Sequence, residues 1–188
     1  MTDALDPTKA EAPATADASP SPRRDLFGAL AAWIARASTG DRAALRRLKA
    51  DALQPHELAA LAKALLYAGL SPDRWRPETW PRWALIAQGM ALAGHASGQL
   101  GLQLARAGVS ESRVTKLLTS RGPAFVQLLP RVLRLLASKS VAPNWCELGE
   151  LVLAEADPTR QADAEARRLR IAGPYFVELA KSAKSAKS

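Results

Sequence analysis

The sequence is poor in the residues that build most enzyme centres. Its 188 residues include one cysteine, Cys146, and two histidines, His56 and His95. A lone cysteine excludes an intramolecular disulfide and every multi-cysteine zinc module. Neither histidine has a Cys, Asp or Glu at a metal-ligand or triad spacing along the chain, and no HExxH, phosphate-binding glycine loop or G-x-S-x-G elbow occurs. Aromatic residues make up only 5%. Val, Ile, Thr, Tyr and Phe never alternate over a strand's length, so the sheet signal is missing. No run approaches about 18 uninterrupted apolar residues, and the polar N-terminus does not read as a secretory signal. A cytoplasmic protein without a membrane contact is expected.

The remaining chemistry-bearing residues have structural explanations. Gly94, Gly98 and Gly101 cluster without the dinucleotide-binding spacing or a preceding strand, and suit close helix packing or a flexible loop. Cys146 follows Trp145 in a helical pattern and is expected to be a small buried hydrophobe. Glu147 and Glu150 are expected on a solvated helix face. No catalytic residue, cofactor or metal is expected.

Charge is what the chain has in excess. Its formal charge is +8. Residues 1–22 hold one Lys against four acids among Ala, Pro and Ser, and are expected to be a disordered tail. Residues 181–188 repeat Lys-Ser-Ala, carry +3, and are expected to form a flexible basic tail. The tails cancel, so the whole +8 falls on residues 23–180, which read as a single all-helical nucleic-acid-binding domain. Within it, residues 101–140 contain Arg106, Arg113, Lys116, Arg121, Arg131, Arg134 and Lys139 against Glu111 alone. A surface without a polyanionic partner usually mixes its signs, although a solvated basic face is the bland alternative.

Apolar periodicity predicts an all-α, compact multi-helix bundle. Its first helix runs from about Asp25 to Ala37. A second, capped by Asp41, reaches Ala52 with Ala44, Leu45, Leu48 and Ala52 inward. A third begins at Pro55, buries Leu58, Leu61, Leu65 and Leu66, and stops at Gly69. The Pro- and Trp-containing stretch 70–81 is an irregular connection before an apolar helix from about Arg82 to Ala93. Further helices carry Leu100 and Leu104, then Val114, Leu117 and Leu118 after Ser110. A long one spans Pro123 to Ser138, and another runs from Asn144 to Ala154. Pro158 opens the last helical region, which Gly173 and Pro174 are expected to interrupt.

Basic residues fall in rows on these helices. Gln127, Arg131, Arg134 and Ser138 share one face of the long helix, opposite Phe125, Leu129, Val132 and Leu136. Arg113 and Lys116 lie one turn apart on the preceding helix. Arg42, Arg46 and Lys49 form another row, with Arg47 pointing elsewhere. Cations about 5–6 Å apart suit the phosphates of a nucleic-acid strand. Arginine adds a planar fork for phosphate or for stacking on an unpaired base. Such contacts grip a backbone without reading sequence. Trp75, Trp80 and Trp83 could stack on bases but suit core or loop-anchoring roles better, and Trp33 and Trp145 are core.

Five segments, in order, carry a family resemblance: TGDRAALRRL (39–48), WPRWALIAQ (80–88), QLGLQLARAG (99–108), SESRVTKLL (110–118) and LPRVLRLLASKSVAPNW (129–145). Together they resemble the small subunit of the type I-E CRISPR surveillance complex, the CasB family of Cascade. The likeness spans roughly residues 25–176. The chain departs from the family in having Gln99 and Leu102 where a Ser and a basic residue are usual, and Asn144 in place of Asp before Trp145. Ile171 and Ala172 replace a Trp motif, while Tyr175 and Phe176 stand where an aromatic pair belongs.

The resemblance implies a non-enzymatic, all-helical subunit. Two copies would lie head to tail beside the backbone and large subunits that hold the guide RNA. The basic surface would hold the displaced single-stranded non-target DNA and stabilise the R-loop. The expected ligands to nucleic acid are Arg113, Lys116, Arg131 and Arg134, then Arg42, Arg46 and Arg47, with Arg121, Lys139, Arg167, Arg168 and Arg170 as further candidates. The alternative is a scaffold whose basic faces dock onto acidic protein neighbours or guide RNA.

Overall fold

Local signals place most of the helices. The computed structural model describes residues 25–50 and 52–185, and among these it contains nine α-helices and no strand. They are α1 (Leu26–Arg36), α2 (Thr39–Arg47), α3 (Pro55–Tyr67), α4 (Thr79–Ala93), α5 (Leu100–Arg106), α6 (Glu111–Thr119), α7 (Gly122–Ser138), α8 (Trp145–Glu155) and α9 (Gln161–Ser185). Short 3-10 turns at Pro72–Arg74 and Pro158–Arg160 precede α4 and α9. The expected tail 1–22 lies outside the described residues, as do 186–188.

Caps explain several starts. The Asp25 side chain accepts from Gly28 N–H and opens α1, and Asn144 accepts from Cys146 N–H to open α8. At α2 the cap is Ser38, whose hydroxyl accepts from Asp41 N–H at 3.0 Å. Asp41 therefore lies inside the helix rather than capping it. α2 also stops at Arg47, leaving Ala52 exposed.

The centre of the molecule is α4. Trp83, Ala84, Leu85, Ile86, Ala87, Met90 and Ala91 are all buried, so the helix is apolar on nearly every side, as a helix enclosed by others must be. α1, α2, α7 and α8 pack around it, with α3 outside α1 and α2. Trp145 is completely buried on α8, and its indole N–H donates to Gly94 O at 2.8 Å. Trp83 is buried against Phe27 and stacks on Trp75, which meets Trp80 edge-on. These tryptophans pin the 70–78 connection to the core, with Trp75 and Trp80 half-buried; Trp33 also packs against the core half-buried.

Two sequence expectations fail for tertiary reasons. In α3 the buried face is Glu57, Ala60, Leu61, Ala64 and Leu65, while Leu58 is 39% and Leu66 59% exposed. Alanines take the inward positions and let α1 and α2 approach closely. In α9 the helix continues through Pro174 to Ser185. The packing responsible is at Gly101 of α5, where a Cβ would collide with the α9 backbone at Ile171 O and Tyr175 N. Ile171 and fully buried Tyr175 bracket the proline, and the Tyr175 hydroxyl donates to Val109 O at 2.7 Å. Lost backbone bonding at Pro174 is outweighed by this contact. Residues 181–185, expected as a loose tail, are helical and exposed. No helix of the described residues is long and apolar enough to cross a membrane.

Candidate nucleic-acid interface

The basic side chains divide into those the fold uses and those it leaves free. Arg168 is 3% exposed. It pairs with buried Glu155, bonds Glu165 Oε1 at 3.1 Å and Ser120 O at 3.2 Å, and lies 5.8 Å from the Phe125 ring centre. Glu155 also accepts from Gly122 N–H at 2.7 Å, capping α7. This network locks α7, α8 and α9 together, so Arg168 cannot reach a strand and leaves the candidate set. Arg121 is tied to Glu165 at 2.7 Å and to the carbonyls of Leu118 and Ser120. Arg167 pairs with Asp163 at 3.0 Å and Glu150 at 3.4 Å. These two are held in place by neighbouring acids.

The α2 row is also partly committed. Arg42 donates to Ala35 O at 2.6 Å and Ala37 O at 3.3 Å, closing the C-terminal end of α1. Arg46 donates through Nε to Ala91 O at 2.9 Å, near the end of α4. Cations there satisfy the last carbonyls and complement the helix dipole. Lys49 lies beyond α2, so the expected three-residue row is broken. Arg47, expected to point away, lines one shallow groove with Arg42 and Arg46.

The α6–α7 face differs. Arg113, Lys116, Arg131, Arg134 and Lys139 are exposed. Among the described residues none of the five makes a salt bridge or side-chain hydrogen bond. Lys116 of α6 and Arg131 of α7 line a common groove with Ser120, Gln127 and Leu128. Lys116 also lines the neighbouring depression beside Arg113. The groove thus carries a cation from each helix, continued by Arg113 on one side and Arg134 one turn along α7. Ser138 turns its hydroxyl back to Leu135 O at 2.8 Å and does not extend the row. Arg170 is exposed on α9 and does not line this groove.

A sequence signal separates the two groups. Arg167 and Arg168 have acids one turn away, at Asp163 and Glu165, whereas Arg113, Lys116, Arg131 and Arg134 have none three or four residues distant. Local pairing also sets the charge states near α9: the Arg160 and Arg167 guanidiniums hold the Asp163 carboxyl below its ordinary range. The acids expected on a solvated face are structural instead. Glu147 accepts from Leu100 N–H at 2.8 Å, starting α5, and Glu150 binds Arg160 at 3.2 Å.

The cysteine also departs from expectation. Cys146 is exposed, and its Sγ lies 3.7 Å from Asp25 Oδ1. The fold brings Asp25, His95 and Cys146 together although they are far apart in sequence. Partial burial and the Asp25 carboxylate push the thiol pKa upward.

Comparison with known families gives the chain a family. A family model described as CRISPR-associated protein Cse2 matches residues 41–176, more than two thirds of the chain, from within α2 to within α9. No curated protein and no solved structure gives a significant match.

Proposed function

Because the chain belongs to the CRISPR-associated Cse2 family, the small subunit of the type I-E Cascade complex, we propose that it binds single-stranded nucleic acid without sequence preference through the α6–α7 groove. The supporting observation is Lys116 and Arg131 lining one groove, with Arg113 and Arg134 beside them and, among the described residues, no acid paired to any of the four. Unpaired cations release counterions when they meet phosphates, and that term needs no base contact. Arg131 and Arg134 act as phosphate ligands or as guanidinium planes for unstacked bases. Arg113, Lys116 and Lys139 act as phosphate ligands, and Arg47 with the outer edge of Arg46 forms a secondary contact.

In the assembled complex this surface holds the displaced non-target strand. R-loop formation is a near-balanced exchange of duplexes, so a modest phosphate grip changes its extent. Residues 23–180 act as one binding unit without catalysis, alongside a second copy, the backbone and large subunits and their guide RNA. The test replaces Arg131 and Arg134 by Ala in the assembled complex: target binding weakens while assembly and helicity persist.

A second reading has its own observation. Leu169, Phe176, Val177 and Leu179 are exposed along α9, Leu169 by 74%. Such exposed apolar side chains suit a protein neighbour, and favour a scaffold whose basic faces meet acidic subunits or guide RNA. Fluorescence polarisation with labelled single strands separates the two. Absence of binding at low salt, with normal incorporation into the complex, selects the scaffold.

A further inference from the structure

Three donors of different chemistry converge at one end of the molecule. Asp25 caps α1, His95 follows the end of α4, and Cys146 sits in the first turn of α8. One ligand atom from each lies within 4.8 Å of the other two. We propose that Asp25, His95 and Cys146 form a three-ligand site for a borderline divalent cation of the zinc class, with a fourth position open to solvent.

Distance supports this. Zinc bonds to sulfur at about 2.3 Å and to carboxylate oxygen at about 2.0 Å, so a tetrahedral ion separates S and O by about 3.5 Å. The Cys146 Sγ to Asp25 Oδ1 separation is 3.7 Å. The thiol hydrogen now lies between these atoms, and the ion would take its place as that proton leaves to solvent.

The donors are also held from behind. Gly28 N–H binds Asp25 Oδ1 at 2.8 Å, and the carboxylate occupies the space a Cβ at Gly28 would need. The His95 ring is fixed by Trp145 N–H, which donates to Nδ1 at 3.2 Å, and Trp145 is wholly buried. The Cys146 backbone is fixed by Asn144 Oδ1 at 2.9 Å. At Asp25 and Cys146 such outer support orients the ligand, whereas the Trp145 bond to His95 is one the ion must displace. Asp25 and Cys146 are exposed, which leaves room for the fourth ligand.

The same residue types occur in thiol hydrolases, but the geometry here is different. Cys146 donates to the Asp25 carboxylate, and among the described residues no hydrogen bond joins its thiol to the His95 imidazole. Metal binding has one identifiable cost. A neutral imidazole has a single lone pair, so His95 must give up its bond from Trp145 N–H whichever nitrogen binds the ion.

The test uses the full chain, stripped of metal with a chelator. Zinc is titrated in competition with a chromophoric indicator, and cobalt is added separately to report thiolate ligation. One ion per chain, a thiolate-to-cobalt charge-transfer band and a shifted Trp145 amide resonance are expected. Losing an outer partner costs about 10–100-fold in metal affinity, so Cys146→Ser and His95→Asn should each weaken zinc binding at least tenfold. Asp25→Asn keeps the α1 cap and should also weaken it. Absence of the charge-transfer band and an unmoved Trp145 amide in the unmodified protein would overturn the site, even if a variant failed to fold. Zinc binding unchanged in Cys146→Ser and His95→Asn would overturn it equally.

Discussion

Arg168 of α9 and Glu155 of α8 form an ion pair closed off from solvent, with 3% and 5% of their side chains exposed. Glu155 caps α7 through Gly122 N–H and Arg168 reaches back to Ser120 O, so the pair joins the α6–α7 corner to the last two helices. Ser120 also lines the basic groove, so the pair is tied to one edge of the groove without lining it.

Removing one partner leaves a buried charge without compensation, which typically costs about 3–5 kcal/mol. Arg168→Ala and Glu155→Gln should each lower the unfolding midpoint markedly in chemical denaturation. A double replacement by Met and Leu should recover much of that loss. Poor DNA binding by Arg168→Ala would then reflect unfolding.

Among the described residues the side chains of Arg113, Lys116, Arg131 and Arg134 make no hydrogen bond or ion pair, so Arg113→Ala, Lys116→Ala, Arg131→Ala and Arg134→Ala should each shift stability by no more than about 0.5 kcal/mol. Each should lower the slope of log affinity against log salt by about 0.7 for single strands if its cation meets one phosphate. Titrations at several salt concentrations measure this directly.

Gly101→Val should separate α5 from α9, because the new side chain would occupy the space of the Ile171–Tyr175 backbone. Overpacking of this kind typically costs about 1–3 kcal/mol. Loss of the Tyr175 to Val109 hydrogen bond should accompany it, seen as faster amide exchange across α9.

Acid should loosen the start of α9 first. Asp163 titrates below its ordinary value in the folded chain because of Arg160, then Arg167. A depressed carboxyl pKa adds stability above the unfolded value of about 3.9 and loses it as pH falls through the folded value. Stability measured from pH 7 downward should therefore drop in the acid range. Asp163→Asn should flatten that part of the profile.

Helices with strong local punctuation were legible: α6 after Ser110, α7 from Pro123 and α8 after Asn144. Each combines a cap or an N-terminal proline with a clean apolar stripe. The face of α3 was not, since Leu58 and Leu66 outrank alanine in hydrophobicity while close helix approach selects Ala60 and Ala64. The continuity of α9 was hidden because Pro174 breaks a helix locally, while the tertiary packing of Ile171 and Tyr175 against Gly101 and Val109 sustains it. For the groove, Arg131 and Arg134 were legible as a basic row on one face of the long helix, within a stretch whose only acid is Glu111. The arginines that close α1 and α4 were not: Arg42 turns back to the Ala35 and Ala37 carbonyls across the α1–α2 turn, and Arg46 finds Ala91 O forty-five residues away. The meeting of Asp25, His95 and Cys146 had no sequence signal, being a product of tertiary packing alone.

The most direct test is R-loop formation by the assembled complex carrying Lys116→Ala, Arg131→Ala and Arg134→Ala together, followed across a salt series. With assembly and helicity intact, R-loop stability should fall and its salt dependence should flatten. Unchanged R-loop stability and an unchanged salt slope would contradict the α6–α7 groove as the grip on the strand.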